Sequence, residues 1–169
     1  MKLRSMLELM AVLAAAFAFS AHAADYSLDG GAVKFAAPDA WTPLMEKHDG
    51  DPQFLALQVP GAGANEALAR ITVTTQHIAD AQEYRKFVDD QVAKARRLPG
   101  YSGGPSGGVP MRRYTALENK FKNDYVEYYE YRNGLGIQVR CVRPATAPAA
   151  WASTFDAGCT AIAKAVITQ

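Results

Sequence analysis

The chain has 169 residues with 18 basic and 17 acidic side chains, so its formal charge is close to zero. That balance excludes a protein that neutralises phosphates through a basic excess, and the basic clusters present, Arg96-Arg97 and Arg112-Arg113, are pairs of the kind that sit solvated on a surface. No nucleic-acid partner is expected, and the length suffices for one domain with a real core rather than two.

The first segment carries an address. Lys2 and Arg4 supply a positive start, Met10 to Phe19 an apolar run, and Ala21-His22-Ala23 a small-x-small cleavage site, which together read as a secretory signal peptide cut after Ala23. A membrane-spanning helix needs roughly 20 apolar residues, and this run is shorter and ends in Ser20 and His22. No Cys follows the cleavage site, so neither a lipoprotein anchor nor any stable membrane anchor is expected. Residues 1–23 are thus expected to be removed, leaving 24–169 as a single globular domain in the periplasm or outside the cell. The loss of Lys2, Arg4 and Glu8 leaves basic and acidic residues in balance.

The domain opens with Tyr26-Ser27-Leu28, a turn at Asp29-Gly30-Gly31, and a strand from Ala32 to Ala37 in which Val33 and Phe35 alternate with Lys34. Trp41 follows as a core anchor, then a polar, turn-rich stretch from Lys47 to Pro52. Phe54 to Val59 and Arg70 to Thr75 read as strands, the second with Ile71, Val73 and Thr75 on one face. The period then lengthens. Asp80 and Glu83 have the spacing of a capping box, and Tyr84, Phe87, Val88, Val92 and Ala95 recur every three or four residues, which predicts an amphipathic helix over 80–98 ended by Pro99-Gly100. Tyr101 to Pro110 is a Gly/Ser/Pro loop that lacks the lysine and the strand-before-helix order of a phosphate-binding loop, so it reads as a surface connection.

Three more strands are expected at Met111–Leu117, Tyr125–Tyr131 and Leu135–Val142, the last two joined by an Asn133-Gly134 hairpin turn. Alternation places Leu135, Ile137, Val139 and Cys141 on one face of the final strand. Beyond Pro144 to Pro148, Trp151, Phe155, Cys159, Ile162 and Val166 recur at helical spacing. Cys141 and Cys159, the only cysteines, therefore both point into the core, and in an exported domain an even pair reads as a disulfide that staples helix to sheet. Strands and helices in this order give an α+β fold, an antiparallel sheet of about six strands flanked by two main helices.

The segment Ala32 to Trp41, AVKFAAPDAW, resembles the v-x-F-x-x-P-x-x-W opening of the PsbP-like and DcrB-like domains, which continue with a strand hairpin, a central helix, a strand meander and a C-terminal helix. The resemblance implies an α/β/α sandwich over most of residues 26–167. It also implies an accessory or binding role, as in extrinsic photosystem subunits, bacterial envelope proteins and effector chaperones. It transfers no catalytic residue, and the cysteine pair is not part of its motif.

Few side-chain constellations suggest chemistry. His48, Asp49 and Asp51 flank Gly50 and offer imidazole and carboxylate ligands to a metal, yet the register of a calcium loop stops at Pro52; a polar turn is the plainer reading. His77 has no serine partner in a Gly-x-Ser-x-Gly setting, Ser106 included. Glu127 and Glu130 lie on opposite faces of one strand and cannot flank one glycosidic bond. The tyrosines Tyr125, Tyr128, Tyr129 and Tyr131 offer either a partner-binding surface or the cover of the core under a helix.

The leading expectation is a non-catalytic periplasmic protein that binds an envelope protein partner and needs no cofactor. An immunity protein against a secreted toxin shares all these features. The rival from another class is an enzyme, either a metal-assisted hydrolase around His48, Asp49 and Asp51 or a carbohydrate-active protein using the tyrosine strand.

Overall fold

The computed structural model describes residues 22–62, 68–103 and 110–167. The leader segment therefore lies outside the described residues, apart from His22 and Ala23, as does most of the Gly/Ser/Pro loop.

The elements run β1 (Ala23–Leu28), β2 (Val33–Pro38), β3 (Thr42–Lys47), β4 (Gln53–Gln58), β5 (Arg70–His77), α1 (Ala81–Arg96), β6 (Ser102–Gly103), β7 (Met111–Glu118), β8 (Phe121–Arg132), β9 (Leu135–Pro144) and α2 (Ala149–Ile167). The fold is α+β, with a seven-stranded antiparallel sheet in the order β3-β4-β5-β9-β8-β7-β6 and a separate two-stranded sheet, β1-β2. The six strands expected from the sequence are present, but β2 pairs with β1 outside the main sheet, and β3 and β6 join the main sheet at its two edges.

Each side of the main sheet is covered differently. Leu55, Leu57, Ile71, Val73, Ile137, Val139 and Cys141 point to one side, where α2 contributes Phe155, Cys159, Ile162 and Val166 and the small sheet contributes Leu28, Val33, Phe35 and Ala37. On the opposite side α1 packs, with Phe87 against Ile78 and Tyr129, and Ala95 against Tyr114, Tyr125 and Val142, joined there by Leu98 and Tyr101.

Local chemistry explains the boundaries. The Asp80 carboxylate accepts from the backbone N–H groups of Gln82 and Glu83 at 2.7 and 2.9 Å, satisfying donors that the first turn of α1 leaves open. Glu83 reaches back to the N–H of Ala79 at 2.6 Å, one residue earlier than a capping box requires. Asn133 and Gly134 both take positive φ, 51° and 75°, which closes the β8-β9 hairpin.

Cys141 of β9 and Cys159 of α2 form a disulfide with Cα atoms 6.1 Å apart. Arg143, two residues on, donates to Asp156 of α2 at 3.0 and 3.3 Å and pairs with Asp124 of β8 at 2.7 Å, a second tie between the same layers. Trp41 packs on Phe155, and Gly158 gives it room: a Cβ there would lie 2.3 Å from Trp41 Cη2.

Two stability measurements check this packing. Gly158→Ala should destabilise by about 1–3 kcal/mol in urea titration, because the overpacking of Trp41 outweighs the roughly 1 kcal/mol that alanine gains in a helix. The double substitution Cys141→Ala, Cys159→Ala should cost about 3 kcal/mol for a bridge closing this length of chain.

Candidate functional site

Alternation along β8 places Tyr125, Glu127, Tyr129 and Tyr131 on one face, that face turns toward α1, and α1 buries most of them. A partner surface built from Tyr125, Tyr128, Tyr129 and Tyr131 is not what the strand presents. Tyr125 and Tyr129 are buried in the core under α1, and Tyr128 points to the other layer, its hydroxyl 3.4 Å from Thr160 of α2. Tyr131 remains half-buried and stacks on Tyr84 of α1 with ring centres 5.5 Å apart.

At the centre of this layer sits a carboxylate with no access to solvent, Glu127, at 0% exposure. Tyr114 donates to its Oε1 at 2.9 Å, Tyr129 to its Oε2 at 2.6 Å and the Arg140 Nε to Oε1 at 2.6 Å, while Arg112 Nη1 stands 3.9 Å from Oε2. Gln138 in turn donates to the Tyr129 hydroxyl at 3.1 Å. Burial, reinforced by the adjacent Glu127 charge, pushes the phenols of Tyr114 and Tyr129 well above their ordinary range. Burial works against the charge of Arg140, but Glu127 outweighs it and raises the guanidinium further. A carboxylate so fully paired and covered holds the layer together and offers no oxygen to a substrate.

Two concave regions flank the cluster. A cleft of about 550 Å³ opens between the side of α1 and strands β7 and β8, lined by Tyr84, Arg85, Val88, Asp89, Arg112 and Tyr131 among others. Burial, with help from Glu130, pushes the Tyr84 phenol up to about 12. The second region is a trough of about 490 Å³ over the half of the sheet that α1 leaves open. Leu44 and Met45 of β3, Phe54 and Ala56 of β4, Leu68, and Phe121 of β8 give it apolar walls. Of the large hydrophobic residues exposed among the described residues, Leu44, Met45, Leu68 and Phe121 all line this trough, Met45 at 58% and Phe121 at 46% exposure. The salt-bridged pair Arg70 and Glu118, 3.0 Å apart, joins Thr72 and Asn119 as its polar lining.

The polar turn reads differently in three dimensions. His48 pairs with Glu46 at 3.1 Å, whereas Asp51 accepts from the backbone N–H of His77 at 3.0 Å and stands 3.5 Å from its ring. His48 and Asp51 thus turn to different neighbours, and all three metal candidates, His48, Asp49 and Asp51, are exposed. Among the described residues no three His, Cys, Asp or Glu side chains come together as a metal site. Ser102 and Gly103 of the glycine-rich loop form β6, and Ser106 lies outside the described residues.

No known protein family matches the chain, and no curated protein matches it. In structure it is similar to a protein of unknown function from Pseudomonas aeruginosa, provisionally called a regulator, with a TM-score of 0.50 and 15% identity over 84% of this chain and 94% of the other. A likeness at that identity concerns the fold alone.

Removing the Glu127 charge while keeping its shape, as in Glu127→Gln, leaves the buried Arg112 and the partly buried Arg140 without their counter-ion and should cost about 3 kcal/mol in chemical denaturation. Tyr129→Phe keeps the charges and should cost less, about 1.5–3 kcal/mol. The tyrosine pKa values also fix a pH dependence. Tyr84, Tyr114, Tyr125 and Tyr129 are all raised from 10.0 in the folded chain, so the unfolded chain loses these protons first and stability falls as pH rises above that value. The share of phenolate absorbance that belongs to these four of the eight tyrosines should therefore grow in step with unfolding rather than before it, and a titration in which all eight ionise in the folded protein near pH 10 contradicts their burial.

Proposed function

We propose that this is a non-catalytic protein, exported to the periplasm, that binds an envelope protein partner through the apolar trough between β3 and the β7-β8 turn. The observation that carries the proposal is the gathering of Leu44, Met45, Leu68 and Phe121 in one concavity beside an Arg–Glu pair. Exposed Leu, Met and Phe are costly on a soluble surface when contiguous, and a concave apolar patch with a polar rim has the make-up of a protein interface.

Export is supported from two directions. The leader has the three-part pattern of a signal peptide, and cleavage after Ala23 would remove from β1 only the Ala23–Pro38 pair. The disulfide is the kind of bond that persists in an oxidising compartment. No helix among the described residues is long and apolar enough to cross a membrane. Kinship with the PsbP-like and DcrB-like domains belongs to the same proposal. Its support is the burial of Val33, Phe35 and Trp41 from the opening motif and the sandwich of helices about an antiparallel sheet.

The test is crosslinking of the tagged protein in its own periplasm followed by mass spectrometry. One abundant partner should be captured by the wild type and by Tyr131→Ala, and lost from the double variant Met45→Glu, Phe121→Glu, with the fold of both variants checked by thermal melting. A partner retained by the trough variant would remove the trough from the proposal, and a partner-free monomer would remove the binding reading itself.

A further inference from the structure

We infer that the cleft between α1 and the β7-β8 strands binds a neutral, hydroxyl-rich ligand, a sugar unit or short glycan. The cleft shares no lining residue with the trough, so this inference stands apart from the partner proposal. Its volume of about 550 Å³ falls inside the range of small-molecule sites, about 300–1,000 Å³.

The chemistry of the walls selects the class. Each wall carries one cation and one anion: Arg85 and Asp89 on α1, Arg112 and Glu130 on the strands. An ionic ligand would meet a like charge beside every opposite one, and would shed its hydration for no net Coulomb gain. A hydroxyl group both donates and accepts, so it can bond to guanidinium and carboxylate alike. Between these groups the half-buried, stacked rings of Tyr84 and Tyr131 supply aromatic surface, and an electron-rich aromatic face suits the C–H side of a sugar ring. Tyr129 forms the floor beneath them, its hydroxyl held by Glu127 and Gln138 and its ring buried against Phe87.

Arg112 adds a specific vacancy in the bonding pattern. It is 6% exposed, it lines the cleft, and its Nη2 donates to the Tyr101 hydroxyl at 3.0 Å. Its Nη1, fully buried, makes no hydrogen bond, and Glu127 Oε2 stands 3.9 Å away, beyond hydrogen-bonding reach. A buried guanidinium donor left unmade is costly, and a ligand oxygen lodged against this side chain would complete it.

The experiment is amide-resonance NMR of the purified protein titrated with two neutral disaccharides, N,N′-diacetylchitobiose and maltose, and with galacturonate as an anionic comparison. At least one neutral sugar should shift the resonances of Val88, Asp89 and Tyr131 with a Kd of about 1 mM or tighter. Arg85→Ala should weaken that binding about tenfold or more with unchanged melting temperature, Tyr131→Ala should weaken it similarly in protein that remains folded at the titration temperature, and Phe121→Glu, in the trough, should leave it intact. The inference is overturned if neither disaccharide shifts cleft resonances at about 10 mM, if galacturonate binds there and the neutral sugars do not, or if the Phe121 variant alone abolishes binding.

Discussion

The constraint behind the whole molecule is coverage. A sheet of seven strands spaced about 4.8 Å apart is roughly 29 Å wide, and one helix is only about 10 Å thick. The side facing α2 solves this with two elements, the helix and the β1-β2 ribbon, and its residues from β4, β5 and β9 form one continuous apolar core. Among the described residues the other side has one long element, α1, with Leu98 and Tyr101 just beyond it. Strands β7, β8 and β9 disappear beneath it, while β3, β4 and part of β5 stay open, and the trough is that open half. Coiling of the sheet narrows the gap without closing it: Arg70 on β5 reaches Glu118 on β7 although two strands separate them in the ladder.

Under α1 the sheet does not present aliphatic side chains but tyrosines around a charge. Glu127 is tolerable there because its oxygens receive two phenols and a guanidinium, and because Arg140 reaches it from the neighbouring strand, directly across the β8-β9 ladder. The tyrosines in turn need Glu127, since a buried hydroxyl without a partner is itself a cost. The cluster therefore fixes which tyrosine stands where. Tyr114 and Tyr125 stack nearly parallel, 8° apart with centres at 4.6 Å, and Tyr129 meets Phe87 of α1 edge-on.

Much of this was legible in the chain. Strict alternation gave β2, β5 and β9, the Asp80 cap and three-four spacing gave α1, and the two periods placed Cys141 and Cys159 on facing surfaces. Strand β3 was not legible because it is exposed along its whole length: Thr42-Pro43-Leu44-Met45-Glu46-Lys47 has no buried face to impose alternation, and Pro43 argues against a strand except at an edge. The β1-β2 ribbon was read in part, but nothing local distinguishes a strand of the main sheet from one that covers it. The trough was invisible for a related reason, since Leu44, Met45, Leu68 and Phe121 come from three separate stretches and meet only through strand order. The tyrosine strand showed its two faces but not which of them a helix would cover, and burial of Tyr125 and Tyr129 followed from that one unknown.

The trough and the cleft are the two edges of one bonded layer. From the trough side, Arg70 holds Glu118, Glu118 accepts from Tyr125 at 3.5 Å, and Tyr125 stacks on Tyr114, whose hydroxyl is bound to Glu127. Toward the cleft, Glu127 holds Tyr129, and Tyr129 and Arg112 form part of the cleft wall. Every step is a hydrogen bond, an ion pair or a stacked ring between side chains with little room to change rotamer. Surfaces bounded by such a layer are set before any ligand arrives, so binding at either edge loses little conformational freedom on the sheet side. What a ligand would have to order lies on the exposed flanks, Met45 and Phe121 at the trough and Arg85 and Asp89 at the cleft, so the entropic cost of binding at each proposed site falls on those side chains.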